Sequence, residues 1–461
     1  MRNYWFGFRG AARAWLLLYV VWSTAGAVWG AQRDEADELK ARIEELEKRL
    51  GQLETKEEAP ASERTVNVEE LRRQLDILAQ EVERMRAGEQ KIELSEAQKR
   101  GLGLAPSAGA TYERRQGISL SGYGEMLYQN RDDENESGLP SSDDTRLDFL
   151  RHVFYMGYRF SDKLIFNSEI EVEHANEIGV EFAYIDFLAN EHIGLRGGML
   201  LLPMGLTNEF HEPNVFLGAK RPETETRIIP STWRENGFGV VGRAGIFNYR
   251  AYVVNGLNAA NFSASGIRGG RQKGSQARAQ DLAFVGRLDV NPTPGVFFGG
   301  SLYRGGSDQG QFEVSGSELS VDTLIGEVHG QVQVRGLDLR GLYAQAQLDD
   351  VAGLNLALGR SGSQAIAQTM EGGYLQFGYN VLSQHTERFR LTPYYRLEMV
   401  DTQAELPAGF TSNEAQDGIF HTMGFEFRPI HGVVVKTDYQ WIRNEANSGL
   451  NQFNVNLGYA F

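Results

Sequence analysis

Residues 450–461, LNQFNVNLGYAF, end the chain and decide its fold. Every second residue from position 453 is large and apolar, whereas the residues between them are polar or small. The apolar set is Phe453, Val455, Leu457, Tyr459 and Phe461. Because alternate side chains of a strand point to opposite faces, this stretch predicts a strand with one apolar and one polar face. A membrane β-barrel needs such strands, and the last strand of a soluble sandwich is the alternative.

The composition narrows the classes of protein further. The chain has 461 residues, no cysteine, a formal net charge of -15 and a mean hydropathy of -0.38. The absence of cysteine excludes disulfide frameworks and thiolate metal sites, and the acidic balance argues against a general nucleic-acid binder. The low hydropathy is compatible with a barrel, in which only every second residue of a strand must be apolar.

The N-terminal part of the sequence predicts export and a helical extension. In residues 1–30, three arginines precede a short apolar run at 15–22 and small residues follow it, which predicts a secretory signal peptide. A membrane anchor is the alternative, but the run is too short to span a bilayer comfortably. Residues 31–100 carry apolar residues at spacings of three and four, which predicts a periplasmic coiled coil. An oligomeric coil and an antiparallel hairpin within one chain both remain open.

The pattern of the sequence changes after residue 100. Residues 101–116 are rich in small residues and contain one proline, so we expect a flexible linker. From residue 117 to residue 461 the apolar period becomes two, and short turns alternate with longer polar loops. We count about sixteen strands, and an even count with one short-turn end is typical of a single-chain outer-membrane barrel. The sequence therefore predicts an all-β transmembrane barrel preceded by an α-helical coiled coil, with both barrel termini at the periplasmic end.

These features together resemble a known family. With its signal peptide, coiled coil, strand pattern and terminal Phe461, the chain resembles the trimeric sixteen-stranded porins of the outer membrane, in particular the group of phosphate-selective porins O and P. The resemblance implies a homotrimer in outer-membrane lipid, with the N-terminal segment in the periplasm. It also implies passive diffusion of small hydrophilic or anionic solutes through a water-filled channel, without a cofactor. In porins of this kind, the loop after the fifth strand folds inward and narrows the pore.

The long connection at 203–236 follows the fifth predicted strand and is a candidate constriction loop. It is dense in charges of both signs, and its prolines and aromatic residues favour a fixed conformation over a disordered one. The candidate constriction residues are Glu209, His211, Glu212, Arg221, Arg227, Arg234 and Glu235. An external loop packed on its neighbours or at a trimer interface is the alternative.

The strand faces predict a second charged set that lines the channel. If the apolar residues around Phe154 and Phe166 face lipid, the charged residues that alternate with them face the lumen. The set comprises Arg151, Arg159, Glu169, Glu171, Glu173, Arg196, Arg250, Arg287, Arg390 and Arg396. Pairing of two strands about Asp162 would bring Arg151 opposite Glu173. Arginines can guide anions through a narrow pore, whereas Arg–Glu pairs that only stiffen the wall are the structural alternative.

Other functions find less support in the sequence. The run Glu169-x-Glu171-x-Glu173-His174 could bind a divalent cation, but no neighbouring segment supplies a loop to wrap the ion. The histidines show no spacing that pairs a base with a nucleophile, and no hydrolase motif is present, so we do not expect an enzyme. The main alternative to a porin is a structural anchor that tethers the envelope through contact of the coiled coil with the cell wall.

Overall fold

The computed structural model describes residue 73 and residues 94–461, apart from residues 115, 315 and 387. The predicted signal peptide and nearly all of the predicted coiled coil lie outside the described residues. The chain divides into two compact units, 1–89 and 90–461, and the architecture below belongs to the second. Within the described residues, no helix is long and apolar enough to cross a membrane.

Sixteen antiparallel strands form a closed barrel, in which each strand pairs with the next along the chain and the first pairs with the last. The barrel strands are β1 (Gly117–Arg131), β2 (Arg146–Arg159), β3 (Leu164–Glu173), β4 (Glu177–Leu188), β5 (Ile193–Leu201), β6 (Arg234–Ala244), β7 (Phe247–Asn255), β8 (Leu282–Thr293), β9 (Val296–Gly306), β12 (Asp322–Val334), β13 (Leu337–Leu348), β14 (Thr369–Tyr379), β15 (Arg390–Glu405), β16 (Asp417–Ile430), β17 (Val433–Asn444) and β18 (Gln452–Ala460). Two short strands, β10 (Glu313–Val314) and β11 (Ser317–Glu318), form a separate hairpin. The predicted sixteen-stranded barrel is confirmed.

The C-terminal strand closes the barrel. β18 pairs with β1 in a register that places Ala460 opposite Tyr123 and Gln452 opposite Arg131. The backbones of Gly122 and Phe461 add two further hydrogen bonds of 2.9 Å. Because the ring is closed, no barrel strand presents a free edge to its surroundings.

The two faces of the barrel wall differ in chemistry. Large apolar side chains project outward, as on β2, where Phe154, Met156 and Tyr158 are 47%, 39% and 40% exposed. The side chains that alternate with them point inward and are buried, although many of them are charged, as Arg151 and Arg159 are. An apolar exterior around a polar interior suits a barrel in lipid, and it is the reverse of a water-soluble sandwich.

The two ends of the barrel carry different connections. At one end, short turns join the strands, such as the two-residue turn between β12 and β13. Arg335 and Gly336 in this turn have φ angles of 49° and 88°, as a type I′ hairpin requires. The longest connection at this end is 380–389. At the other end, the longer loops are 132–145, 202–233, 256–281, 307–321, 349–368, 406–416 and 445–451. The three-residue turn 174–176 is the exception at this end.

The segment that precedes β1, residues 94–114, is called the N-terminal segment below. It contains a short helix, α1 (Glu96–Gly101), and a 3₁₀ helix (Ala108–Thr111). α1 begins with a capping box in which the Ser95 hydroxyl accepts from the Gln98 amide. Because β1 starts at the short-turn end, this segment reaches the barrel from that end.

The sequence predicts a flexible linker at 101–116, but much of residues 104–112 is packed against the barrel strands. Leu104 and Tyr112 are buried, and they form a small apolar cluster with Ile165 of β3. Close approach depends on small residues on both sides: a Cβ on Gly157 of β2 would collide with Thr111. The same small residues that suggest flexibility in the sequence allow this stretch to fit tightly against the wall.

Candidate functional site in the barrel lumen

Loop 202–233 crosses the interior of the barrel. On one side, Nε2 of His211 lies 3.3 Å from Oε1 of Glu169 on β3. On the other side, the Tyr374 hydroxyl of β14 donates to Glu225 of the loop at 2.6 Å. β3 and β14 are seven positions apart in the sixteen-strand ring, so the loop spans nearly the full width of the lumen.

Internal hydrogen bonds fix the shape of loop 202–233. The carboxylate of Glu225 accepts hydrogen bonds from the amides of Leu206 and Thr207 at 2.7 and 2.6 Å. Near the other end, the Asn208 side chain accepts from the Trp233 amide at 2.7 Å and donates to the Trp233 carbonyl at 3.0 Å. The two ends of the loop are thereby tied together, as the density of prolines and aromatic residues in the sequence predicts.

Apolar side chains anchor the same loop. Met204, Ile228, Ile229 and Trp233 are all fully buried. The Trp233 ring packs against Tyr303 of β9, with 4.7 Å between the ring centroids. The loop therefore packs inside the barrel and is not an external loop.

The charged residues singled out in the loop occupy different surroundings. Glu209 lies 3.3 Å from the guanidinium group of Arg250 on β7. Glu212 accepts hydrogen bonds from the backbone and the hydroxyl of Ser107 at 2.8 and 3.0 Å. Arg221 is half-buried, and its Nη2 atom has no hydrogen-bond partner among the described residues.

His211 is buried between two carboxylates. Burial alone would lower the pKa of His211, but Glu181 and Glu169 together raise it to about 10. The distance from His211 Nε2 to Glu181 Oε2 is 2.8 Å.

Two of the predicted constriction residues lie outside the loop. Arg234 and Glu235 belong to β6, because the ladder with β5 extends to the pair Leu201 and Arg234. Arg234 contacts Glu181 of β4 at 3.2 Å, and Glu235 accepts a hydrogen bond from Asn255 at 2.6 Å. Both side chains are buried, and strand β6 positions them.

The other predicted loop arginine, Arg227, ends the short helix α2 (Thr224–Arg227). Its Nε atom lies 2.9 Å from Glu223, one helical turn earlier. A cavity of about 420 Å³ opens beside it, between loops 202–233, 256–281 and 406–416. The polar residues lining it are Thr226, Arg227, Ser263, Ser265, Arg268 and Gln416.

The predicted channel-lining residues lie on the inward faces of their strands, and most of the arginines are paired. Arg151 stands opposite Glu173 in the β2–β3 register, as the sequence predicts. Its guanidinium group, however, contacts Glu125 at 2.9 Å and Glu171 at 3.0 Å. The β2–β3 register therefore identified neither partner: Glu125 stands opposite Arg151 on β1, and Glu171 lies diagonally across from it on β3.

A spacing of two residues on one strand recurs among the ion pairs of the wall. Residues i and i+2 share a strand face, so an arginine and a carboxylate at this spacing can meet within the lumen. The pairs and their closest distances are Arg287–Asp289 at 2.9 Å, Asp338–Arg340 at 2.9 Å, Arg396–Glu398 at 3.7 Å and Glu426–Arg428 at 2.8 Å. The acidic members were missed in the sequence analysis, although this spacing is visible there.

Three more of the predicted channel-lining arginines are Arg196, which forms an ion pair, and Arg159 and Arg390, which lack a close one among the described residues. Arg196 binds Asp186 through its Nε atom at 2.7 Å. Arg159 donates mainly to backbone carbonyls, including that of Tyr112 at 2.8 Å. Arg390 stands opposite Arg428 in the β15–β16 register and makes no ion pair within the described part of the chain.

The N-terminal segment also enters the lumen. The Tyr112 hydroxyl donates to Asp186 of β4 at 2.6 Å, and Asn167 of β3 donates to the Ala108 carbonyl at 3.1 Å. Ser107 binds Glu212, so the segment touches loop 202–233 directly. The short-turn end of the lumen is thus occupied by chain from before the barrel.

Two arginines of loop 256–281, Arg268 and Arg271, form a basic group that contacts loop 202–233. Arg268 and Arg271 are half-buried, and each donates to the Ser231 carbonyl at 2.6 Å. Burial and the neighbouring Arg271 lower the pKa of Arg268 to about 9. Burial and Arg234 likewise lower the pKa of Arg271 to about 10. Within the described residues, neither arginine has a carboxylate ion-pair partner, so no direct ion pair neutralises the group.

No family model matches the chain. A protein of Aquifex aeolicus (strain VF5), described as an uncharacterized protein, is 35% identical to it over 365 residues, which are 76% of this chain and 81% of that protein. The two chains thus share most of their lengths.

Several solved structures are similar to the chain. An anion-selective porin from Comamonas acidovorans matches with a TM-score of 0.46 and 13% identity, over 75% of this chain and 100% of that chain. The outer membrane channel DcaP of Acinetobacter baumannii matches with a TM-score of 0.47 and 11% identity, over 75% and 97%. OmpT, an outer membrane protein of Vibrio cholerae, matches in its trimer form with a TM-score of 0.45 and 11% identity, over 75% and 99%.

Proposed function

This chain belongs to the same family as the Aquifex aeolicus protein, and we propose that it is an outer-membrane porin through which small hydrophilic solutes diffuse passively. The observation that carries the proposal is the closed barrel with exposed apolar side chains outside and charged side chains inside. Such a wall suits lipid on one face and water on the other. Loop 202–233 crosses the lumen and would act as the constriction.

We further propose that the channel prefers anions. The supporting observation is the basic group of Arg268 and Arg271, which have no carboxylate ion-pair partner within the described residues; Arg268 also borders a cavity beside the loop that crosses the lumen. A small anion entering from the long-loop end would supply the missing negative charge. The field of fixed charges in a narrow, low-dielectric passage favours ions of opposite sign.

The proposed assembly is a homotrimer whose short-turn end faces the periplasm. The N-terminal segment and the end of β18 both lie at that end, and most of the predicted coiled coil at 31–100 precedes this segment in the chain. A parallel coiled coil would then join three barrels in one orientation.

Liposome swelling tests the porin proposal. Vesicles that contain the purified protein should swell in small sugars, with rates that fall as the sugar becomes larger, while protein-free vesicles should not. If the inserted, folded protein admits no small sugar, the structural anchor becomes the better account of the barrel.

Reversal potentials in a KCl gradient test the anion preference. Replacing both arginines of the basic group, Arg268→Gln with Arg271→Gln, should lower the ratio of anion to cation permeability by on the order of two-fold or more. Arg278→Gln is the matched control, because Arg278 lies in the same loop but is exposed. If Arg278→Gln lowered the permeability ratio as much as the double substitution does, a specific role for the basic group would be contradicted.

A further inference from the structure

Three buried side chains that could bind one metal ion join loop 202–233 to the wall. Glu169 of β3, Glu181 of β4 and His211 of the loop each offer one ligand atom, and these atoms lie within 4.8 Å of one another. Their side chains are 0%, 0% and 1% exposed. Glu181 was not singled out in the sequence, whereas Glu169 and His211 were predicted to line the channel and its constriction, and Glu169 also begins the acidic run considered above for a divalent cation.

Hydrogen bonding accounts for only part of this arrangement. Glu169 Oε1 accepts a hydrogen bond from the Tyr123 hydroxyl at 3.2 Å and lies 3.3 Å from His211 Nε2. Among the described residues, Glu169 Oε2 and Glu181 Oε2 are buried and have no hydrogen-bond partner. The 2.8 Å approach of His211 Nε2 to Glu181 Oε2 lacks the alignment of a hydrogen bond. A bound cation would satisfy both of these carboxylate oxygens and the imidazole nitrogen at once.

The histidine is oriented as a metal ligand would be. Its Nδ1 atom lies 2.8 Å from the Asn208 carbonyl, to which the Nδ1–H group donates. The Nε2 atom is thereby directed at the two carboxylates. Nη1 of Arg234 lies 3.2 Å from Oε1 of Glu181, which is the other oxygen of that carboxylate. Hydrogen bonds of this kind to the far side of a ligand fix its orientation and tautomer in metal sites.

We propose that Glu169, Glu181 and His211 bind a divalent transition-metal ion, with Zn²⁺ the best match. One imidazole and two carboxylates suit Zn²⁺, and three protein ligands leave a fourth position for water. Ca²⁺ fits less well, because it takes six to eight oxygen ligands. The ion would fix the loop to β3 and β4, and this role does not depend on which solute passes through the barrel.

A proton is the competing occupant of the site. An imidazolium ring at His211 would also place positive charge between the two carboxylates, and a metal ion must displace that proton to bind. The two accounts differ in a direct observable, which is the retention of metal by the folded protein.

Metal retention by the purified, untagged, full-length protein in detergent tests the proposal. The protein is stripped with EDTA, incubated with ZnCl₂, passed through gel filtration and analysed by mass spectrometry for metal. We expect one Zn²⁺ per chain, and a loss of at least about ten-fold in retained Zn²⁺ for Glu169→Gln and for Glu181→Gln. Wild-type protein that retains no Zn²⁺ would overturn the proposal in favour of the imidazolium.

Glu327→Gln is the matched control. Glu327 is also a buried carboxylate 2.8 Å from a histidine, His329, but the opposite ring nitrogen of that histidine faces Asp289 at 2.8 Å. The ligands there do not converge, so this variant should retain one Zn²⁺. If either triad variant fails to fold, Co²⁺ added to the wild-type protein decides: visible absorption bands that Zn²⁺ abolishes support the site, and their absence overturns it.

Discussion

At the scale of single residues, shared carboxylates hold the interior together. Asp289 is the clearest case, because it contacts Arg287 at 2.9 Å, Arg250 at 3.1 Å and His329 at 2.8 Å. All four side chains are buried. Removal of the shared carboxylate would leave two guanidinium groups buried with less compensation, and a buried charge without its partner is costly.

Asp289→Asn should therefore destabilise the barrel. We expect the free energy of unfolding to fall by about 3 kcal/mol, at the low end of the cost of breaking a buried pair because lumenal water can relax around the arginines. Denaturant unfolding in lipid vesicles, followed by tryptophan fluorescence, measures the change. Asp143→Asn is the control: Asp143 pairs with Arg131 where both are partly exposed, and its loss should cost less than about 1 kcal/mol. Similar losses in the two variants would contradict the account.

At the same scale, alternation in the sequence predicts the face on which a side chain lies but does not predict its partners. Alternation alone placed Arg151 and Glu171 on the inward side. It could not place Glu181, because a bulge separates the pairs Glu169–Phe182 and Ile170–Val180 and leaves Glu181 as the extra residue. A bulge is a feature of pairing between two strands, and no single strand pattern reveals it.

At the scale of elements, the strands were predictable and the N-terminal segment was not. Two local sequence signals predict strands: an apolar period of two, and turn residues such as Arg335-Gly336. The burial of residues 101–114 depends instead on Gly157 of β2 and on Ser107 meeting Glu212, which are distant in sequence. Small residues look the same in a free linker and in a segment that is packed among strands.

Removal of the N-terminal segment should widen the passage. A variant in which residues 31–114 are deleted should show a single-channel conductance higher by on the order of two-fold, because conductance follows the open cross-section of the lumen. A variant that lacks only residues 34–88 retains the segment and should conduct like the wild type. Equal conductance of all three proteins would show that the segment does not obstruct the ion path.

At the scale of the whole molecule, the barrel is observed, whereas the coiled coil stays a prediction. The barrel is closed by its own sixteen strands, so one chain can form the wall without a partner. The predicted coil would contribute by joining chains, since a narrow apolar seam is buried only against another helix.

Deletion of residues 34–88 should weaken trimers and leave the barrel intact. We expect the trimer band on semi-native gels to dissociate at a lower temperature, while the heat-modifiable shift that reports a folded barrel persists. Trimers that resist heat equally without these residues would place their role elsewhere, for example in contact with the cell wall.

Single-channel recording in planar bilayers tests the central claim most directly, which is that a water-filled path runs through this charged lumen past loop 202–233. The account predicts discrete current steps from the purified wild-type protein, with a reversal potential in a KCl gradient on the anion side. A folded, inserted barrel that passes no measurable current, with the N-terminal segment present or deleted, would contradict it.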